Sequence, residues 1–210
     1  MGAFRETSVF SVDRHDRDAT MKHWELTFMM ELIHVDAAEP HKAMADCDAL
    51  VQYAQKQNVP ELMALFSILR AHIAFSAKDE TSALASLKLA KLSIERLTAD
   101  NANYLLLQLY YSVVHIAVHF YYSRTTLASQ QLTQCHAMLE DPAHASLNVF
   151  QVTLSPGDVF SVDWLSKQEL VGYVYYLSGM VMTSETTMKS SKRFTLEGLK
   201  HVEGALLMNI

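Results

Sequence analysis

Glycine and proline are scarce, six and four among 210 residues. A sandwich or barrel of many short strands needs a turn signal every 8–12 residues or so, and this chain cannot supply them. Cysteine is scarcer still. Cys47 and Cys135 cannot build a disulfide framework and neither belongs to a Cys-x-x-Cys pair, so both read as reduced, buried thiols of an intracellular protein. Positive charge is in deficit, with 17 Lys and Arg against 23 Asp and Glu and a formal net charge of −6. That removes the electrostatic footprint of a protein that grips nucleic-acid phosphates by itself. The segment from Met1 to Thr20 is polar and has no signal-peptide core.

The signatures of catalysis are missing as well. No Gly-x-Ser-x-Gly anchors a nucleophile, no Gly-rich loop precedes a Lys to hold phosphate, and the carboxylates fall in polar joints rather than in pairs. The expectation is a protein that is not an enzyme, with no catalytic residues, no metal and no cofactor.

What the chain does contain is half hydrophobic residues, enough to bury a core and offset ordering entropy. Their spacing is helical throughout. Met21, Trp24, Leu26, Phe28, Met29, Leu32 and Ile33 form a stripe at intervals of three and four over Asp18–Val35. Pro40 and Pro60 sit where a first helical turn tolerates proline, and each opens a further stripe. Lys78-Asp79-Glu80 is a polar joint, with Thr81 or Ser82 as the expected cap of a helix reaching Leu97. Asp100-Asn101-Ala102-Asn103 opens a long apolar helix, and Thr125 or Thr126 starts the next, through Leu139. The run Tyr104–Tyr122 holds no Asp, Glu, Lys or Arg. Its length suits a membrane span, but Gln108, Ser112, His115 and His119 lie within it, and a helix buried on all sides explains it equally well.

Between Glu140 and Asp163 the helical pattern stops. Asp141-Pro142 and Ser155-Pro156-Gly157 are turn chemistry, and Val149–Leu154 has the composition of a strand. A seventh helix begins near Ser166 and an eighth holds Phe194, Leu196, Leu199, Val202, Leu206 and Leu207. The fold expected is all-α, an α-solenoid of about eight helices in antiparallel, tetratricopeptide-like pairs. Second members of successive pairs begin near Pro40, Thr81 and Thr125, about 41 and 44 residues apart. The divisions expected are a polar segment over 1–17, three helix pairs over 18–139, a long loop over 140–165 and a fourth pair over 166–210, the whole a segment of a longer solenoid. An irregular eight-helix domain is the alternative.

Candidate binding residues follow from that architecture, because stacked pairs leave a concave groove that takes peptides. Tyrosine offers an apolar ring with a polar tip, which suits a wet groove. Trp24, His72, Tyr110, His115, His119, Tyr173 and Tyr176 are the expected lining residues. His115 and His119, spaced i, i+4, share a face as two zinc ligands do. Ile116, Ala117 and Val118 between them provide no general base, and a third ligand would have to be His72 or His34 from elsewhere. Satisfied groove or core histidines are the reading preferred.

One stretch carries a family resemblance. Residues 158–170 read Asp-Val-Phe-Ser-Val-Asp-Trp-Leu-Ser-Lys-Gln-Glu-Leu, an apolar Val/Tyr/Leu-rich helix follows, and Lys192-Arg193-Phe194 precedes a Leu-rich amphipathic end. This resembles the helical-repeat subunit of the cohesin loader, in the chromatid cohesion factor family. Trp164, Leu165, Lys167 and Glu169 match the centre of that family's motif, while Ser166 stands where its proline is usual. The resemblance covers about the last half of the chain. It implies a nuclear scaffold without catalysis that binds the extended N-terminal segment of the large loader subunit, and through it serves cohesin and chromatin. Trp164 joins the candidate binding residues on that account. Direct contact with nucleic acid or membrane is not expected. A generic tetratricopeptide-like adaptor of another assembly is the alternative, and a helical protein holding a small ligand on His115 and His119 is a third.

Overall fold

The computed structural model describes residues 39–140, 150–155, 158–162, 167–185 and 192–200. The helix expected over 18–35, Trp24 and Trp164 lie outside the described residues. Seven described helices are α1 (Pro40–Lys56), α2 (Pro60–Ser76), α3 (Glu80–Ile94), α4 (Tyr104–Tyr121), α5 (Thr125–Glu140), α6 (Lys167–Glu185) and α7 (192–200). Between α5 and α6 stand β1 (Phe150–Ser155) and β2 (Asp158–Val162), paired antiparallel with Phe150 opposite Val162 and Val152 opposite Phe160. The all-α class stands, with one hairpin added in the stretch expected as a loop.

Three helix joints are built alike. Each has three residues: a C-cap, a residue in the left-handed region and one more before the next helix. The left-handed residues are Asn58, Lys78 and Ser123, at φ 54°, 61° and 60°. In each joint two amides turn back to close the helix end. Val59 and Asn58 donate to the carbonyls of Ala54 and Gln55, Asp79 and Lys78 to Ala74 and Phe75, Arg124 and Ser123 to His119 and Phe120. This pair of bonds is the Schellman arrangement, which satisfies carbonyls orphaned at a helix C-terminus. A chain that leaves one helix this way three times folds back on itself three times. The same short joint therefore sets α1 against α2, α2 against α3 and α4 against α5.

Helix starts differ. Pro40 and Pro60 occupy the first helical turn, where a missing N–H costs nothing. The cap of α3 is Asp79, whose carboxylate accepts from the Ser82 amide at 3.0 Å. The sequence had pointed to Thr81 or Ser82, which lie inside the helix. Asp79 wins because the left-handed Lys78 turns the chain two or three residues earlier than polar composition indicates. Likewise α3 ends at Ile94 rather than Leu97.

The core has two parts. In the larger, α2 is buried nearly all round by Leu62, Leu65, Phe66, Ile68 and Leu69, against Leu50 of α1, Leu87 of α3 and Leu107, Val114 and Val118 of α4. The smaller joins Ile116 of α4, Leu132 and Cys135 of α5 and Val174, Leu177 and Val181 of α6. Arg70 of α2 ties neighbouring helices, pairing with Asp48 of α1 at 2.7 Å and donating to Ser86 of α3 at 2.6 Å. Glu80 at the start of α3 pairs with Arg124 in the joint between α4 and α5.

Asn103 seats the hairpin. Its amide nitrogen donates to the Gln151 carbonyl at 2.7 Å, and its side-chain oxygen accepts from the Gln151 amide at 3.1 Å. A buried side-chain amide thus pairs with β1 much as another strand would. Asn101 positions it, accepting from the Asn103 amide at 2.9 Å and donating to Glu61 of α2 at 2.7 Å. Phe150, Val152 and Phe160 then point into the larger core.

Two substitutions check these contacts. A left-handed residue with a side chain is strained, so Lys78→Gly should raise the unfolding free energy by about 0.5–1 kcal/mol in a denaturant titration. A Cβ on the buried Gly198 of α7 would stand 3.0 Å from both the Gly172 carbonyl and the Tyr176 amide nitrogen of α6. Backbone cannot yield as a side-chain tip can, so Gly198→Ala should cost about 1–3 kcal/mol by the same titration.

Candidate functional site

Helix α4 carries its polar side chains as a ladder. Gln108 donates to the Tyr104 hydroxyl at 2.7 Å, Tyr111 stacks on His115 with centroids 5.2 Å apart, and His115 and His119 meet edge-on at 4.3 Å. Residues four apart lie one above the other on a helix, so the ladder follows from the 3.6-residue repeat. Its charged neighbours come from α3 and its C-cap: burial and then the C-cap Glu95 raise the Tyr111 hydroxyl pKa, and Lys91 helps burial to lower that of His115.

The Nε2 atoms of His115 and His119 are 3.0 Å apart. At that distance one nitrogen must carry the proton and the other accept it. Both Nδ1 atoms are buried and have no partner among the described residues. Burial drives His115 down from 6.5 to about 4, helped by His119 and Lys91. His119 is lowered too, by burial and then Arg124, against the opposing pull of Glu80. At neutral pH this is an uncharged pair sharing one hydrogen bond. Among the described residues no third His, Cys, Asp or Glu completes a metal cluster with it.

The other candidates separate into buried and exposed. Tyr110 is 6% exposed, packed in the larger core. Burial holds its hydroxyl well above the ordinary value, and Tyr173 of α6 and Cys47 of α1 push the same way. Tyr173 and Tyr176, on α6, are 48% and 49% exposed. His72 is exposed on α2. The structure therefore brings Tyr173 to the surface beside a buried Tyr110, while His115 and His119 lie in the seam with α3.

A pairing the sequence did not reveal joins His136 of α5 to Ser178 of α6 at 2.9 Å. It has the composition of a nucleophile and base, but not the protons. The Ser178 hydroxyl donates to the Val174 carbonyl at 2.7 Å, so its oxygen accepts from His136. A general base needs its lone pair facing the hydroxyl, and here it faces away. Nor does either thiol approach a thiolate. Burial pushes Cys47 to about 12 and Cys135 to about 11.

The histidine pair gives a pH dependence of definite sign. Its folded pKa values lie below the unfolded 6.5, so between 6.5 and about 4 the unfolded chain binds more protons than the folded one. The contribution to stability is whole above 6.5 and is lost as pH falls towards 4. Denaturant midpoints measured from pH 7.5 to 4.5 should fall less steeply for His115→Gln plus His119→Gln than for the unsubstituted chain. Equal slopes would show that the pair does not titrate as this burial requires.

No helix among the described residues is long and apolar enough to cross a membrane. No curated protein and no solved structure matches the chain. A model of the cohesin loading factor family does match, over residues 6–208. That span takes in every element described above, from α1 to α7, as well as the Trp164 motif. The role it carries is in cohesin loading, and hence in sister-chromatid cohesion and chromosome segregation, in association with the loading machinery on chromatin. On this evidence the chain belongs to the cohesin loading factor family.

Proposed function

We propose that the chain is a scaffold subunit without catalytic activity, binding an extended segment of the large cohesin-loader subunit and thereby helping to place cohesin on chromatin in the nucleus. The observation that carries this reading is the pair of half-exposed tyrosines, Tyr173 and Tyr176, on the helix that follows the Trp164 motif. Large aromatic rings held on a rigid helix are the residues that anchor protein partners, because they bury much area at little entropy cost. The helix contacts support it too. Each of α2 and α4 touches its sequence neighbours, and α4 also touches α2 and α6, a nearest-neighbour order suited to stacked helix pairs. A net charge of −6 fits a subunit whose partner brings the positive charge.

In this reading Tyr173, Tyr176 and the exposed His72 touch the partner. Tyr110 supports that surface from within the core, His115 and His119 stiffen the seam with α3, and Trp24 and Trp164, outside the described residues, are proposed to serve the same partner. Tyr173→Ala plus Tyr176→Ala removes two rings that the core does not need. The folded double variant, checked by circular dichroism, should bind the N-terminal segment of the large subunit about tenfold or more weaker in a titration. Unchanged affinity would overturn the reading. Tyr110→Ala serves as the contrast, since its first effect should be on stability.

A further inference from the structure

The hairpin has one closed edge and one open one. On β1, both backbone groups of Gln151 bond to Asn103 and so point away from β2. In an antiparallel ladder, residues opposite each other either exchange both hydrogen bonds or turn both pairs of groups outward. Gln151 stands opposite Ser161, and Thr153, two residues on, opposite Val159. Ser161 and Val159 therefore aim their N–H and C=O groups away from β1, along the outer edge of β2. No described strand lies there, since the sheet has only β1 and β2. Val159 is 45% exposed and Ser161 is exposed, whereas Phe160 between them is buried. An edge of this kind is a template for another extended chain, and folded proteins cover or blunt it.

The sequence contains a strand of matching pattern. Val9-Phe10-Ser11-Val12-Asp13 repeats, residue for residue, Val159-Phe160-Ser161-Val162-Asp163. Alternation in β2 puts Phe160 inward and Val159 and Ser161 outward, and the same alternation is written into residues 9–12. It stands in the polar stretch over 1–17, outside the described residues and ahead of the helical stripe that begins at Met21. Residues 14–38, up to the start of the described chain, number 25 and reach about 80 Å when extended, so the tether does not limit docking.

We propose that residues 8–13 of the same chain add to the outer edge of β2 as a third strand, pairing with the backbone groups of Val159 and Ser161. Phe10 and Val12 then fall on the face of the sheet that carries Phe160, and Ser11 on the face that carries Ser161. Parallel or antiparallel, the strand takes up the same two residues of β2, because among the described residues only theirs point outward. The occupant is this chain's own segment rather than a partner's, and the proposal does not depend on the partner reading above.

Residue-resolved amide hydrogen exchange on the full chain tests it, with Ser11→Pro plus Val12→Pro as the variant, adjacent positions of which one faces β2 whichever way the strand runs. Proline has no N–H and cannot pair along that edge. In the unsubstituted chain the Val159 and Ser161 amides should exchange about 100-fold slower than exposed loop amides, independently of protein concentration. The variant should lose that protection while the Gln151 amide, held by Asn103, keeps its own. Fast exchange at Val159 and Ser161 in the unsubstituted chain overturns the proposal. So does protection that survives both prolines, which would place another segment on the edge, or protection lost on dilution, which would place a second copy there.

Discussion

Two-sided burial of α4 is the constraint around which the rest is arranged. Leu107, Tyr110, Val114 and Val118 face the larger core, and Ile116 faces the smaller. A helix with cores on two sides has no place for an unpaired charge, which is why no Asp, Glu, Lys or Arg occurs from Tyr104 to Tyr122. The polar side chains that remain must find partners within reach. Gln108 bonds to Tyr104, Ser112 accepts from Gln131 of α5 at 3.0 Å, and His115 bonds to His119. The neutral state of the two histidines is thus a consequence of where α4 lies, not of a special site built around them.

The joints complete that arrangement from the other direction. A three-residue turn with a left-handed middle residue leaves no slack, so consecutive helices pack against each other rather than reaching further. The connection between α3 and α4, from Glu95 to Asn103, is longer and does additional work. Asn101 and Asn103 gather the start of α2, the start of α4 and β1 at a single point. The hairpin's seat on the core depends on this cluster as much as on Phe150, Val152 and Phe160.

Where the sequence was legible, the signal was local and chemical. Pro40 and Pro60 mark helix starts because proline is acceptable there, and the charge-free run of α4 shows because two cores forbid charge along it. The joints were legible as polar breaks but not as left-handed turns. Lys78 and Ser123 are neither glycine nor asparagine, so composition gave no sign of φ near 60° at either, and the cap of α3 was displaced accordingly. Val149–Leu154 looked like a strand, whereas β2 was hidden between turn residues and the Trp164 motif. Tyr110 and Tyr173 looked alike, since a tyrosine has the same composition on either face of an apolar helix. Only the packing of α4 against α2, α3, α5 and α6 separates the buried ring from the exposed one. The His136–Ser178 bond was beyond reach for the same reason, with 41 residues intervening and no periodic signal connecting them.

The division between buried and exposed polar groups bears on how a loading factor of this family can work. Groups already bonded inside the fold offer a partner nothing without first breaking those bonds, at a cost of about 1–3 kcal/mol for each donor or acceptor left buried and unpaired. On α4 nearly every polar side chain is committed in this way. On α6, among the described residues, Ser178 bonds to His136 and Gly172 receives Gly198 of α7. The rings of Tyr173 and Tyr176 on that helix stand half out of the protein. A partner that lays an extended segment across them buries apolar ring surface and can still hydrogen-bond the phenol tips, without disturbing the cores. On the proposed reading, recognition would fall to α6 and stability to α4, so that a partner could be taken without opening the cores.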